Sequence, residues 1–490
     1  MKNTLQQTPN FNSIQRPQMV GLFVGNGVGS KLLQGYLDGV PELYMIPAYP
    51  LMYFYPHWND WKMKYGAELT WLRAINLFCE KHASVIDSRR IPGFNGLQNL
   101  GKNRDEYIGI DEAVFKKTLC DLIQGEPVKS STLLLAAHYA YALCHGQDIS
   151  RKHVLIYHVH ARQYLNDLLA DFPDAKVIAM TRDSRSNFDR RIVTCYKVDA
   201  AKLNRSDTYL FRALPTYHMT RYMLQDNQII ASAVRPENIR VIRHEDMGLR
   251  LEPTLKSLCD WIGLVYTSTM LEITFGGKEW WGDEVYDMAP TNQFNQRVLS
   301  KDWQKSKGYI DWYVQEGLMV DFFKKYGYRA EKYTNDSIAH RLLLVLLVLF
   351  PTKSEWSLVG FYLNPINFLA FIEASFREAY GELPIKDYTW NATYLYKWMY
   401  IDLHLWKIRL HVRLFENLMN YRSKCRLPAL RSGVQFTAMV VYVGGQIARY
   451  FYAVLRLPYW FFKLRKVMFE RINEMWRGAA RLPDLLIRLT

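Results

Sequence analysis

The sequence predicts an α/β fold, a parallel sheet flanked by helices, followed by a C-terminal α-helical region that is basic and aromatic. Three observations carry this. Short apolar, β-branched runs alternate with helical patterns over the first two thirds of the chain, the order that buries a parallel sheet under helices on both faces. At Gly21 to Gln34 a buried-strand pattern leads through glycines into a helix. From about residue 335 the short runs give way to long helical patterns rich in Trp, Tyr, Arg and Leu. The expected organisation is therefore an α/β domain over 1–334 and a helical domain over 335–490.

Taken in order, Val20 to Val24 reads as the first strand, Ser30 to Leu37 as the first helix, and Leu43 to Ile46 as a second buried strand ending at Pro47. Residues 48–65 are crowded with Tyr, Trp, Pro and His, and read as a substrate-facing loop or lid. Helical patterns follow over Glu68 to Lys81, Ile110 to Ile123 and Leu133 to Cys144, with a glycine-rich loop from Ile91 to Gly101. Val154 to His160, Lys176 to Thr181 and Ile239 to Arg243 read as strands, and Arg162 to Asp171 as a helix. Ligands of such sheets sit at the carboxyl ends of the strands. That places the glycine turn, His158, His160, Arg182 and Arg243 along one edge.

Composition narrows the classes. With 490 residues, 49% hydrophobic, the chain has core for two or three domains and is not a disordered chain. Cys79, Cys120, Cys144, Cys195, Cys259 and Cys425 show no paired spacing, so neither a zinc module nor a disulfide framework is expected, and a reducing, cytoplasmic compartment fits. The polar first twenty residues lack the apolar core of a secretory signal, which makes the Asn-x-Ser/Thr triplets at Asn204, Asn335 and Asn391 accidental. The net charge is +15, and residues 401–490 hold sixteen Lys and Arg against five Asp and Glu. A partner of opposite charge is expected there.

In the glycine turn, Gly25, Gly27 and Gly29 let the backbone take positive φ and turn its N–H groups inward, while Ser30 and Lys31 open a helix toward the same point. Its spacing is neither Gly-x-Gly-x-x-Gly nor Gly-x-x-x-x-Gly-Lys-Ser/Thr. Two readings follow from these residues alone, a cradle for phosphate or sulfate and a tight turn without a ligand.

Three further stretches bear on the choice. Phe172-Pro173-Asp174-Ala175-Lys176 with Thr181-Arg182-Asp183-Ser184-Arg185 resembles a motif pair of the sulfotransferases. Arg243-His244-Glu245-Asp246 and the helical pattern behind it look like a second segment of that family, and Thr274 to Asp283 is similar to a loop of its bacterial carbohydrate and tyrosylprotein-like branch. The resemblance spans roughly residues 18–330 and implies a P-loop NTPase-like fold with 3′-phosphoadenosine 5′-phosphosulfate, PAPS, as sulfuryl donor and no metal. By position, the turn of Asn26, Gly27, Val28, Gly29, Ser30, Lys31 and Leu32 would hold the 5′-phosphosulfate, and Arg182 the 3′-phosphate. The chain departs from the family at four places. Gly27 stands where a basic residue is usual, Lys31 where a threonine is, Arg190 at a phosphate-binding serine, and the glutamate some members use as base falls near Ala48.

Sulfuryl transfer is an in-line displacement in which positioning and charge stabilisation do most of the catalysis. The expected catalytic groups are His158 or His160 as base, sharing one face of a strand, and His57 in the aromatic segment as runner-up. Lys31 would neutralise charge on the leaving oxygen, with Lys278 assisting; Arg185 and Arg243 read as structural, and Glu245 and Asp246 as anchors of the strand end. The expected acceptor is a carbohydrate or glycolipid hydroxyl, with no nucleic acid partner. The tail is read as docking on the inner face of a membrane, against the plainer reading of a packed helical domain with a solvated basic face. The alternative function is a catalytically silent protein of the same fold serving membrane-associated assembly. A nucleotide-dependent kinase is a third, weaker reading, disfavoured by the lack of Mg²⁺-ligand motifs.

Overall fold

A computed structural model describes residues 9–24, 28–90, 96–159, 162–187, 234–282, 293–300, 302–305, 308–352, 356, 359–360, 363–380 and 405–476. The chain divides into two compact units. One comprises residues 1–187 and 223–301 with the last residues of the chain, and the other 188–222 and 302–481.

The first unit holds five parallel strands, β1 (Gln18–Val24), β2 (Leu43–Met45), β3 (Val154–Val159), β4 (Lys176–Thr181) and β5 (Ile239–Arg243), in the order β2-β3-β1-β4-β5. All five match their sequence-based bounds to within two residues at each end. All six residues of β3 are buried, as are the last five of β4, because helices cover both faces and leave no solvent side to alternate with. The chain runs from β1 outward to β2, returns to β3, then crosses to β4 on the other side of β1. β1 ends at this reversal of strand order, the point at which ligands of such sheets sit. Register places His158 beside Leu22 and Thr181 beside Arg243, so the ends of β3, β1, β4 and β5 lie on one edge.

The helices of this unit that bear on the site are α1 (Ser30–Tyr36), α2 (Phe54–Tyr65), α3 (Trp71–Lys81), α4 (Glu112–Ile123), α5 (Ser130–Cys144), α6 (Arg162–Asp171) and α7 (Leu251–Ile262). Residues 48–65 differ from the expected irregular loop. From Phe54 they form α2, because Phe54, Tyr55, Trp58 and Trp61 recur at helical spacing and are buried. Pro56 falls in the first turn, where its missing N–H removes no intrahelical bond. A hairpin of β6 (Thr274–Phe275) and β7 (Lys278–Glu279) is fastened to the loop after α1 by Asp38, which accepts from Thr274 Oγ1 at 2.9 Å and from the Gly277 N–H at 2.8 Å.

The second unit is helical: α8 (Tyr309–Leu318), α9 (Val320–Tyr326), α10 (Ile338–Leu349), α11 (Pro365–Ala379), α12 (Leu405–Lys424) and α13 (Pro428–Trp476). The break between the units falls at 301/302, ahead of the change of texture at 334/335. The reason is packing. Tyr313, Val314, Leu318 and Val320 share one core with Leu344 and Val348 of α10 and with Met468, Ile472 and Met475 of α13. A second core joins Ala379, Phe415, Ala438, Tyr442 and Val443. α13 is one continuous helix despite Pro458 within it. Pro458 inside a helix costs about 3 kcal/mol, and burial on both sides of it, at Tyr442 and Tyr450 before and Met468 and Ile472 after, offsets that cost. Where α12 meets α13, Gly445 lets the backbones approach closely, since a Cβ there would lie 2.3 Å from His411 Cγ. Among the described residues no helix is long and apolar enough to cross a membrane.

Candidate functional site

The site is built where the glycine turn enters α1. Gly29 has φ 90° and ψ 22°, a left-handed conformation that glycine adopts without a Cβ penalty. A Cβ at this position would also lie 2.1 Å from His244 Nδ1, so both backbone shape and space require glycine. His244 follows β5 directly and donates its backbone N–H to the Thr181 carbonyl at 2.8 Å. Its ring lies 5.4 Å from that of Phe294 and hydrogen-bonds the backbone of Val28. Burial, and then the Arg182 charge, hold His244 well below the usual histidine range, so the ring is neutral. It acts as a wedge between the turn and the ends of β4 and β5.

Arg182 emerges from β4 and is buried; its Nη2 donates to Ser186 Oγ at 3.0 Å, one helical turn onward. Asp183 fixes this corner by pairing with Arg185 at 2.7 Å and accepting the Arg185 N–H. Glu245, whose carboxyl is raised by burial, accepts the Asp183 N–H at 2.9 Å. Arg243 is held by both oxygens of Asp246. Arg185, Arg243, Glu245 and Asp246 therefore keep the bends after β4 and β5 in shape. Thr181 Oγ1, on the residue before Arg182, and Asn187 Oδ1 are buried and have no hydrogen-bond partner among the described residues.

On the other side of the turn, Lys31 is buried between two rings, with its Nζ 4.9 Å from the centre of Tyr49 and 5.8 Å from that of Trp280. Burial lowers its ammonium well below the ordinary lysine range. Tyr49 also meets His158 edge-on at 5.1 Å. Gln34, three residues after Lys31 on α1, is within 2.9 Å of His158 Nδ1 through its Nε2, and its Oε1 accepts the Ala48 N–H at 2.9 Å. Ala48 has φ 58°, a left-handed conformation that is strained for a non-glycine residue.

The structure thus brings together Val28, Gly29, Ser30, Lys31, His158 and Arg182 among the residues the sequence singled out. Asn26, Gly27, His160 and Arg190 lie outside the described residues. Leu32 belongs to α1 and has no polar side chain to offer a ligand. Two residues stand elsewhere. Lys278 pairs with Glu106 instead of facing the turn, because β7 sets its ammonium against that carboxylate; it is the neighbouring Trp280 that reaches Lys31. His57 sits on α2 with its Nδ1 3.3 Å from His82 Nε2 and its ring stacked on Trp61 at 6.1 Å. His82 is itself pushed down to about 3 by burial, so this pair is an apolar, neutral packing element. Sequence reasoning missed Gln34, Tyr49, Ser186 and Trp280, and gave His244 no role. His244 and Trp280 fall inside the motifs quoted above and Tyr49 inside the aromatic segment 48–65, whereas Gln34 and Ser186 carried no signal of their own.

Residues 29–268 match the model of the sulfotransferase family. The sulfotransferase domain from the curacin biosynthetic pathway is 15% identical, over 60% of this chain and 96% of that one, with a TM-score of 0.31. The sulfotransferase domain from the Synechococcus PCC 7002 olefin synthase is 14% identical, over 61% of this chain and 91% of that one, with the same TM-score of 0.31. No curated protein matches the chain. The matched stretch, which begins at Gly29 and holds Lys31, His158, the buried Arg182 and the wedge His244, is similar to the sulfotransferase family.

Proposed function

We propose that the chain moves a sulfuryl group from PAPS to a hydroxyl of a carbohydrate or glycolipid acceptor at an acidic membrane surface. The observation that carries the transfer reading is the pair of buried cations, Lys31 and Arg182, at one sheet edge on either side of the Gly29 turn. The residues fit the donor's chemistry. Arg182, Ser186 and the Thr181 hydroxyl form one set of donors suited to a phosphate, and Lys31 with the turn forms a second, suited to a phosphosulfate. PAPS would supply the sulfuryl group. In a buried setting the Lys31 ammonium stabilises negative charge on the leaving oxygen more strongly than it would in water. The acceptor's proton needs a base, and His160, two residues after His158, is the proposed one. Tyr49 and Trp280 beside Lys31 supply aromatic faces of the kind on which the apolar face of a sugar ring packs.

The membrane reading rests on the second unit. Around the turn between α12 and α13, Tyr421, Leu427 and Leu430 are exposed together with Lys424, Arg426 and Arg431. Between Glu416 and Glu470 the sequence has nine Lys and Arg and no Asp or Glu. α10 adds a stripe of exposed Ile338, Leu342, Leu346 and Leu349, on the opposite side of the helix from the buried Leu344. Exposed apolar side chains set among cations match an anionic lipid surface, where each Lys or Arg is worth about 1 kcal/mol.

Incubation of the full chain with sulfur-labelled PAPS and a panel of glycan, glycolipid, phenol and protein acceptors tests the reading. Label on a glycan or glycolipid hydroxyl supports it, and label only on a phenol or protein acceptor contradicts the acceptor class. A second reading, a silent protein of the same fold, is favoured by the altered glycine turn and by the missing glutamate, which some members carry near the position of Ala48; PAPS binding with no transfer to any acceptor would select it.

A further inference from the structure

The Gln34 side chain settles a proton that is not visible directly. The Ala48 backbone N–H can only donate, so the Gln34 atom that it meets at 2.9 Å must be the amide oxygen. The other end of the amide, facing His158 Nδ1 at 2.9 Å, is then the NH₂ group, which can only donate. His158 Nδ1 must therefore accept, with its lone pair toward Gln34, and the ring proton of the neutral imidazole sits on Nε2. A protonated His158 would set its Nδ1–H against the amide N–H in a donor-to-donor contact. Gln34 and His158 are both buried, at 1% and 5% exposure, so water does not offer an easy replacement partner.

This is the opposite polarity from a catalytic base. A histidine that takes a proton through Nε2 keeps Nδ1–H pointed at an acceptor, as in a serine-protease triad. Here the partner at Nδ1 is a donor. The strained backbone at Ala48 is what turns the N–H toward Gln34 and fixes the amide. We propose that Gln34 is a positioning residue that locks His158 as the neutral Nε2–H tautomer, so that His158 serves as a hydrogen-bond donor to the anion held beside Lys31 and not as the base. The donor role rests on the sulfuryl-transfer reading; the tautomer stands on the hydrogen bonds alone. Assigning His158 as a donor also revises the sequence-based expectation that it and His160 are interchangeable candidates for the base.

The test is nitrogen NMR of the full chain labelled in its histidine rings, with His158→Gln used to assign the signals. The expected spectrum has a pyridine-like Nδ1 and a pyrrole-like Nε2 for His158. Gln34→Glu, which keeps the shape and can only accept, should move the proton to Nδ1 and exchange the two shifts. A pyrrole-like Nδ1 in the wild-type chain, alone or with a pyrrole-like Nε2, overturns the lock. Saturation with PAPS or its desulfated product PAP should move the Nε2-bound proton downfield, and an unmoved signal at saturation overturns the donor role. If neither nucleotide binds at any concentration, the sulfuryl-transfer reading and the donor role that depends on it both fail. The tautomer then still stands or falls by the first spectrum.

Discussion

In the α/β unit the telling residues are polar and inside: Lys31, Gln34, His158, Arg182 and His244 are all buried around one turn. In the helical unit they are apolar and outside, with Ile338, Leu342, Leu346, Leu427, Leu430 and Phe436 exposed in a stretch that is strongly basic. Each arrangement is costly for a chain that only has to fold. Buried charges lose hydration, and exposed leucines forgo about 1.5–3 kcal/mol of transfer energy apiece. The contrast points to two kinds of ligand, a small anion that replaces water around fixed donors and an extended surface that covers apolar side chains.

Disrupting the second unit alone gives the largest separation. Leu342→Asp combined with Leu346→Asp removes two leucines at about 1.5–3 kcal/mol each, so affinity for phosphatidylserine vesicles should fall by about a hundredfold or more in co-sedimentation. Transfer to a water-soluble acceptor should not change, and an equal fall in both would erase the contrast. Gly29→Ala attacks the other unit. Left-handed backbone costs a non-glycine residue about 1–2 kcal/mol, and overpacking against His244 about 1–3 more. The thermal unfolding midpoint should drop by several degrees, together with PAP affinity. Arg182→Ala removes charge-assisted hydrogen bonds worth about 1.5–3 kcal/mol, so calorimetry should report roughly ten- to hundredfold weaker PAP binding with vesicle binding intact.

Lys31 sharpens the contrast through pH. Burial lowers its pKa in the ligand-free protein, and a bound anion favours the ammonium and raises it again. Binding then takes up a proton wherever the pH exceeds the lowered value. PAP affinity should therefore fall as pH rises through the alkaline range, and Lys31→Met should bind weakly and lose that slope. Stability runs the other way: between the lowered pKa and the ordinary lysine value the unfolded chain holds more protons, so the folded state gains on raising the pH. Lys278→Ala should have the smallest effect, below about threefold on PAP affinity, because its partner is the half-exposed Glu106.

The sheet was legible because buried parallel strands are near-continuous apolar runs, and β4 and β5 stand at the residues the pattern indicates. α2 was not, since Pro, Trp and Tyr suggest irregular chain and only burial of Phe54, Trp58 and Trp61 makes them one helical face. In the site, Gly29, Lys31 and Arg182 were legible from motif and residue type. Gln34 was not, because nothing in a helical glutamine marks it as the partner of a histidine more than a hundred residues away. Lys278 misled for a related reason: its charge is visible in the sequence, and the Glu106 carboxylate that takes it up is not. The long-range polar pairs are fixed by the approach of loops to the sheet edge, which no local pattern encodes.

The central claim is that the Gly29 turn and Arg182 form one nucleotide site. Calorimetric titration of the full chain with PAP tests it most directly. The account predicts saturable binding of one nucleotide per chain, weakened by Arg182→Ala and unchanged in the paired Leu342→Asp, Leu346→Asp variant. No heat of binding at any concentration, or binding indifferent to Arg182→Ala, would contradict it.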